Sequence, residues 1–138
     1  MGTILKIFCD GGARGNPGPA ASGYVIKDAD DKILEEGGLY VGETTNNQAE
    51  YRAVVLALEK AAKFKPERID FYLDSQLIVH QMNGVYKIKN TELKPVAENV
   101  KKLASQYPLV TFQHVPREQN QLADAQVNII LDNHSREG

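Results

Sequence analysis

The spacing of the apolar residues changes once along this chain, close to residue 45. Before that point, residues 3–10, 20–28 and 32–42 have the strand-like alternation and short polar connections that predict three antiparallel strands. After it, from 46 to 64, the apolar residues recur at helical spacing. The first half of the chain is therefore predicted to be an antiparallel meander followed by one long helix.

The second half of the chain alternates helices and strands. The expected elements are a strand at 68–73, a helix from Asp74-Ser75 to Asn83-Gly84, a helix at about 92–106, a strand at 109–115 and a helix at about 120–132. The order βββαβααβα implies an α/β fold with a five-stranded mixed sheet and helices on both faces. Residues 1–132 are expected to form one domain, followed by a frayed tail at 133–138.

Composition limits the classes of protein to which the chain can belong. With 16 basic and 18 acidic residues it lacks the basic surplus of a strong nucleic-acid binder, so any such contact surface must be local. The single cysteine, Cys9, rules out an internal disulfide and is expected to be a core residue. No apolar run approaches the roughly 18 residues of a membrane span, and no signal peptide is evident. We therefore expect a cytoplasmic monomer without a membrane partner.

Four acidic residues occupy positions that folding alone does not explain: Asp10, Glu50, Asp74 and Asp124. Asp10 and Asp74 end two apolar strands, whereas Glu50 and Asp124 lie in helical segments, Glu50 on the apolar stripe. Carboxylates at neighbouring strand ends and on helices packed against them can converge at one point. They repel one another there unless divalent cations bind them.

Each acid also has a structural interpretation. Asp10 precedes two glycines and can form a turn, Asp74 before Ser75 can cap a helix, and Asp124 can interact with a helix macrodipole. Glu50 has the weakest structural explanation, because burying an uncompensated carboxylate is costly. The four acids together favour a functional cluster.

The chain resembles the type 1 ribonuclease H family from Ile7 to about Asn128. The segments that carry the resemblance are Asp10–Ala20 (DGGARGNPGPA), Thr44–Tyr51 (TTNNQAEY), Leu73–Val79 (LDSQLIV) and Val115–Asp124 (VPREQNQLAD). Four motifs in this order, each with its acid, make the resemblance specific. It implies a ribonuclease H-like fold and an endonuclease that hydrolyses the RNA strand of RNA–DNA hybrids, leaving 3′-hydroxyl and 5′-phosphate ends.

The same resemblance implies that Asp10, Glu50, Asp74 and Asp124 are catalytic ligands of two Mg²⁺ ions about 4 Å apart in the substrate complex, with Mn²⁺ as an alternative. One ion would lower the pKa of an attacking water, and the other would stabilise charge on the leaving 3′-oxygen. Because Mg²⁺ keeps several waters and takes few carboxylates, substrate phosphate is expected to complete the sites.

Recognition of a hybrid requires groups that read the 2′-hydroxyls of the RNA strand. The polar groups beside the acids suit this role, and we expect the contacts to come from the backbone of Gly11 and Gly12, from Glu50 itself, and from the side chains of Asn16, Asn46 and Gln76. Glycine backbone can approach a sugar closely because no Cβ intervenes.

Contacts to the DNA strand are also implied by the resemblance. Asn47 resembles a contact to that strand, and Thr45 and Asn90 resemble a pocket for a DNA phosphate, beside which Glu43 is unfavourable. Helix capping is an alternative role for Asn46 and Asn47 that does not exclude these contacts.

Two segments depart from the family pattern. The basic, aromatic-rich protrusion of many members is reduced to residues 84–90, and the chain contains no Trp. Binding through Lys87, Lys89 and Lys94 is therefore expected to be weaker and more salt-sensitive, and we expect no separate hybrid-binding domain.

The loop before Asp124 is the second departure, because many members place a histidine there. His114 is the candidate by a gap-free count but falls in the last predicted strand. Arg117 and Glu118 are the candidates in a shortened loop, and we favour Glu118 because a carboxylate can also attract metal. No catalytic role is expected for His80 or His134.

Two other functions stay open at this point. A structure-selective DNA nuclease of the same superfamily would keep the fold, but Asn46 and Gln76 suit 2′-hydroxyls. A hybrid- or RNA-binding module without activity would gain nothing from a cluster of charges aimed at phosphates. The preferred metal, activity on RNA duplex and the cellular task also stay open.

Overall fold

The computed structural model describes residues 2–137. Within that range the chain forms one five-stranded sheet, built from β1 (Ile4–Ala13), β2 (Gly18–Lys27), β3 (Ile33–Thr44), β4 (Arg68–Leu73) and β5 (Leu109–His114). The strands lie in the order β3-β2-β1-β4-β5. The pairs β1–β2 and β2–β3 are antiparallel, and β1–β4 and β4–β5 are parallel. The predicted mixed sheet is confirmed.

The described residues also form four α-helices, α1 (Asn46–Ala61), α2 (Gln76–Met82), α3 (Lys94–Ala104) and α4 (Gln121–Glu137), with 3₁₀ turns at Ala62–Phe64 and Arg117–Gln119. This element order is the predicted one. None of the helices within residues 2–137 combines the length and apolarity needed to cross a membrane.

Helices cover both faces of the sheet, as expected. Successive residues of a strand point to opposite faces. Cys9 of β1 faces α1, where its thiol donates to the Ala53 carbonyl over 3.7 Å. Gly12 faces α4 and lies against Val127. Helices α2 and α3 contribute to the same core cluster as α1, so α4 lies on the opposite face from the other three.

The main core lies between β1, β4 and helices α1 to α3. Alternate residues of β1, Leu5 and Ile7, meet Val54 and Leu58 of α1, and all four are almost fully buried. Each fully buried side chain of this size stabilises the fold by about 1.5–3 kcal/mol. Cys9 is a free thiol in this core, as predicted, and burial raises its pKa well above the usual value.

β1 continues through the two glycines where the sequence indicated a break. Gly11 pairs with Ser22 and Ala13 pairs with Ala20 of β2, so the turn is limited to residues 14–17. The prediction of turn structure over 13–19 was therefore too wide. Glycine is compatible with both turns and strands, and here the neighbouring strand supplies the backbone partners.

α4 extends to Glu137, so the prediction of a helix end at 132 and a frayed tail at 133–138 was wrong for residues 133–137. Gly138 lies outside the described residues. Leu131 is buried against the sheet, and His134 stacks on Tyr40 of β3 with ring centroids 4.0 Å apart. These contacts stabilise the end of a helix that would otherwise fray.

Candidate active site

Four elements bring the predicted acids to one edge of the sheet. Asp10 lies on β1 opposite Gly23, and Asp74 directly follows β4, which runs parallel to β1. Glu50 lies near the start of α1, and Asp124 lies in the first turn of α4. Because β1 and β4 run in the same direction, the acids that they carry lie at the same edge.

Three of the four predicted carboxylates converge, and the fourth, Asp124, lines the same cleft. Asp10, Glu50 and Asp74 each offer one oxygen atom, and these atoms lie within 4.8 Å of one another. The proximity of Asp124 is one of the causes that raise the pKa of Asp10. Asp10, Asp74 and Asp124 line an open cleft of about 410 Å³, and Glu50 is buried beside them with 6% of its surface exposed.

The structural alternatives for Asp10 and Asp74 are wrong. Asp10 lies inside β1 and pairs with β2, so it does not form a turn. The hydroxyl of Ser75 caps α2 by accepting the N–H of Ile78 over 3.3 Å, so the cap is not Asp74. Asp124 does lie in the first turn of its helix, where the macrodipole favours an acid in addition to any role in the cluster.

Crowding changes the acidity of the buried members of the cluster. Burial, followed by the charge of Asp74 and the contact with Asp124, raises the pKa of Asp10 to about 8. Burial, followed by the charges of Asp10 and Asp74, raises the pKa of Glu50 well above its usual value. The ionised cluster is therefore unfavourable until a cation neutralises it.

The donor set fits a hard divalent cation. Carboxylate oxygens are the ligands that Mg²⁺ and Ca²⁺ prefer. The Oε2 atom of Glu50 is buried and finds no hydrogen-bond partner among the described residues. A buried oxygen without a donor is costly, and a bound cation would satisfy it. The cluster is thus suited to hold a divalent metal.

Glu50 reaches the cluster because α1 approaches β1 very closely. Thr45 caps α1 by accepting a backbone N–H of the first turn at 3.2 Å, and Ser22 of β2 donates to the Ala49 carbonyl at 2.7 Å. A Cβ at Gly11 would lie 2.2 Å from the carbonyl carbon of Ala49. Glycine at this position therefore permits the contact that places Glu50.

Asn16 and Asn46, which we expected to read RNA sugars, hold the wall of the cleft together. Oδ1 of Asn46 accepts the N–H of Ala13 at 2.7 Å, and Oδ1 of Asn16 accepts the N–H of Asn46 at 2.9 Å. Their side-chain oxygens therefore stabilise the fold by accepting backbone N–H groups. Their side-chain NH₂ groups are the groups with which they can contact a sugar. Asn46 also lines the cleft.

Asn120 is a site residue that the sequence did not single out. Its side chain is buried at 1% exposure, and Nδ2 donates to the Cys9 carbonyl at 2.8 Å. The backbone carbonyl of Asn120 accepts the N–H of Asp124. Asn120 thus fixes the start of α4 against the residue before Asp10. The signal that the sequence offered for this role was a polar residue one helical turn before Asp124.

A second groove lies beside α2 and contains several residues predicted to contact the DNA strand. Its lining includes Asn47, Lys87, Lys89 and Asn90. Thr45 does not contribute to the described lining of this groove, and its hydroxyl is engaged in the helix cap. Gln76 is exposed at the start of α2. The structure thus brings four of the predicted DNA-strand contacts together in one groove. Thr45, predicted for the DNA strand, and Gln76, predicted for the RNA strand, are outside its described lining.

The three candidates for the auxiliary loop role lie in different places. Arg117 lines both the acidic cleft and a shallow depression beside it. Glu118 lines that depression together with Gln121 and Asp124. His114 is exposed at the end of β5 and takes no part in the described lining of either.

This strand order, with an acidic cleft where β1 and β4 end, defines the ribonuclease H-like class of proteins. A family model described as reverse transcriptase-like matches residues 8–129. Ribonuclease HI of Halobacterium salinarum is 41% identical over 131 residues, which cover 95% of this chain. The crystal structure of LC11-RNase H1, isolated from compost, with an RNA/DNA hybrid is 43% identical with a TM-score of 0.91, covering 94% of this chain and 98% of that one. The chain belongs to the type 1 ribonuclease H family.

The curated relatives are longer than the matched region. The chain spans 66% of the Halobacterium protein. A bifunctional protein of Mycobacterium tuberculosis is 39% identical over 129 residues, which cover 93% of this chain but 35% of that protein.

Proposed function

We propose that this chain is a metal-dependent endoribonuclease that hydrolyses the RNA strand of RNA–DNA hybrids and leaves 3′-hydroxyl and 5′-phosphate ends. The observation that carries the proposal is the meeting of Asp10, Glu50 and Asp74 within 4.8 Å, with Asp124 in the same cleft. The substrate class is supported by the related LC11-RNase H1, whose crystal structure contains an RNA/DNA hybrid.

We assign the four carboxylates as catalytic residues and as ligands of Mg²⁺, with two ions in the substrate complex and Mn²⁺ as the alternative. The bound metal would supply the Lewis acidity that activates water and offsets charge on the leaving oxygen. The buried pair Asp10 and Glu50 forms the inner side of this site. The half-buried pair Asp74 and Asp124 forms the side that faces the substrate.

The rim of the cleft supplies the proposed contacts to the RNA strand. Gly11 and Gly12 line the cleft, where their backbone can approach a sugar without an intervening Cβ. We assign the 2′-hydroxyl contacts to the NH₂ groups of Asn16 and Asn46 and to the side chain of Gln76. The proposed contacts to the DNA strand and its phosphates are Thr45, Asn47, Lys87, Lys89 and Asn90.

Glu118 is our candidate for the auxiliary role of moving protons and helping product to leave. It lies beside Asp124 in the depression next to the cleft, where a carboxylate can attract metal and exchange protons with solvent. Arg117 and His114 are the alternatives. Single variants of the three residues separate them, because a lower turnover with unchanged substrate affinity is expected for Glu118→Gln alone.

The proposed working unit is a monomer, because all four acids come from one chain and the site is complete without a second copy. The catalytic domain includes the whole of α4 and therefore extends to Glu137. The buried free thiol of Cys9 fits a reducing compartment, and the cytoplasm is the proposed location.

Cleavage of three labelled duplexes with and without Mg²⁺ tests the proposal. The expected result is cleavage of the RNA strand of an RNA–DNA hybrid in the presence of the metal, with DNA duplex left intact. Equal cleavage of DNA duplex would select the structure-selective DNA nuclease. Binding of the hybrid without cleavage and without metal would select the binding module. RNA duplex and Mn²⁺ in parallel reactions define the range of substrate and metal.

A further inference from the structure

We infer that Arg14 binds a phosphate of the RNA strand and that Asp132 holds its guanidinium group in place in the free protein. This contact rests on the proposed function and adds a cationic subsite to it. Beside the three carboxylates, the described lining of the cleft contains two arginines, Arg14 and Arg117. A cleft rich in carboxylates repels a polyanion unless cations at its rim offset that repulsion.

The backbone that carries Arg14 is firmly held. The N–H of Arg14 donates to the Pro19 carbonyl at 2.9 Å, and the N–H of Ala13 donates to Oδ1 of Asn46 at 2.7 Å. A Cβ on Gly18 would lie 2.1 Å from the Arg14 carbonyl oxygen, which shows how tightly the loop is closed. The arginine side chain therefore extends from a rigid base beside the cleft.

The side chain of Arg14, by contrast, is held only at the surface. Its Nη2 lies 2.6 Å from Oδ1 of Asp132, and the two side chains are 46% and 56% exposed. Exposed ion pairs of this kind stabilise proteins little, because water screens them. A phosphate can therefore replace Asp132 as the partner of Arg14, and the guanidinium offers two parallel donors to it.

The two arginines lie at opposite ends of the segment of α4 that lines the cleft. Arg117 precedes α4, and Asp132 follows Asp124 by about 12 Å along the helix axis, at 1.5 Å per residue. Asp124, Val127, Asn128 and Leu131 line the cleft between them. A strand that places its scissile phosphate at the acidic cluster and lies along α4 would bring another phosphate to Arg14.

The charge balance of the chain makes a contact between Arg14 and a phosphate important for binding. The chain has 16 basic and 18 acidic residues, and its basic segment at 84–90 is short. Electrostatic binding to a nucleic acid grows with the number of phosphates contacted by cations. Where few cations reach the substrate, each of them accounts for a large share of the salt-dependent affinity.

Steady-state cleavage of a short hybrid by Arg14→Ala and Asp132→Asn distinguishes a phosphate contact from a structural ion pair. For Arg14→Ala we expect KM to rise about 3- to 10-fold with kcat within about twofold, and the slope of log(kcat/KM) against log salt to fall by about one. For Asp132→Asn, which releases Arg14 for the substrate, we expect KM to stay the same or to fall. Arg14→Lys should lie between Arg14→Ala and the unchanged protein.

A second exposed ion pair provides matched controls. Lys6 and Asp31 lie 3.1 Å apart and do not belong to the described cleft lining. Lys6→Ala and Asp31→Asn remove the same charges and should leave KM and the salt slope unchanged. Equal rises of KM in Arg14→Ala and Asp132→Asn, or an unchanged KM in Arg14→Ala, would overturn the phosphate contact. Failure of the unaltered protein to cleave the hybrid would instead overturn the proposed function.

Discussion

The side-chain amide of Asn120 donates a hydrogen bond to the carbonyl oxygen of Cys9 over 2.8 Å, and so joins the start of α4 to the strand that carries Asp10. The backbone carbonyl of Asn120 in turn accepts the N–H of Asp124. The position of Asp124 relative to Asp10 therefore depends on a contact that involves neither acidic side chain.

Asn120→Ala is expected to lower both stability and the apparent affinity for metal. Loss of the buried hydrogen bond should reduce the free energy of unfolding by about 1–3 kcal/mol, which urea denaturation measures. The start of α4 should shift, so that more Mg²⁺ is needed for half-maximal cleavage. The control is Asn133→Ala, which changes an exposed asparagine of the same helix. An unchanged Mg²⁺ requirement in Asn120→Ala would contradict the positioning role.

Asp10→Asn is expected to remove activity while stabilising the metal-free protein. Cleavage should fall about 100-fold or more, because charge stabilisation by bound metal contributes several kcal/mol. Above the raised pKa of Asp10, the substitution removes a repelling charge and should increase the free energy of unfolding by about 1–3 kcal/mol. Asp30→Asn, in an exposed turn, is the control for loss of one negative charge. Retained cleavage would exclude Asp10 from the catalytic set.

The stability of the metal-free protein is expected to fall as pH rises. Asp10 has an ordinary pKa of 3.8 and a folded value of about 8, so the folded state binds more protons than the unfolded state between these values. Glu50, whose pKa is also raised by burial and its neighbours, adds to the effect. Urea denaturation at about pH 5.5 and about pH 8 measures the loss, and Mg²⁺ should restore stability at the higher pH.

The ion pair between Lys63 and Glu35 has the opposite effect on the pH dependence of stability, and that effect lies outside this pH range. Lys63 lowers the pKa of Glu35, so the stability contributed by that pair is lost only as pH falls below the ordinary value of 4.5. It cannot mask a change between about pH 5.5 and about pH 8. A metal-free protein equally stable at both values would contradict the crowding of the acids.

The features that sequence predicted well depend on local periodicity. When one face is buried, apolar and polar residues alternate along a strand, and apolar residues recur about every 3.6 residues along a helix. Each element could therefore be predicted from its own residues. The four acids were visible for a related reason, because Glu50 interrupts the apolar stripe of α1 and Asp10 and Asp74 follow apolar strands. Their convergence followed from the ends of parallel strands.

The features that sequence missed depend on distant partners. Gly11 continues β1 because Ser22 lies opposite, and α4 extends past 132 because His134 stacks on Tyr40. The role of Asn120 comes from Cys9, which is 111 positions earlier in the chain. Local patterns do not report such partners, so glycines, helix ends and single polar residues were the weakest points of the prediction.

Gly11→Ala and Gly12→Ala are expected to differ sharply although they are neighbours on β1. A Cβ at Gly11 would lie 2.2 Å from the Ala49 carbonyl carbon and 2.3 Å from the Glu50 nitrogen, and both are backbone atoms that cannot rotate away. At Gly12 the nearest atom would be a methyl carbon of Val127 at 3.6 Å, which is ordinary contact.

Gly11→Ala should therefore lower the free energy of unfolding by about 1–3 kcal/mol or more, because α1 must move away from β1. Gly12→Ala should change stability by less than about 1 kcal/mol, since no backbone shift is needed. Because the displaced turn carries Glu50, Gly11→Ala should also raise the Mg²⁺ concentration needed for cleavage. Urea denaturation and metal titration of the two variants check these expectations. Similar losses of stability and of metal affinity in both variants would show that the close approach of α1 to β1 does not position Glu50.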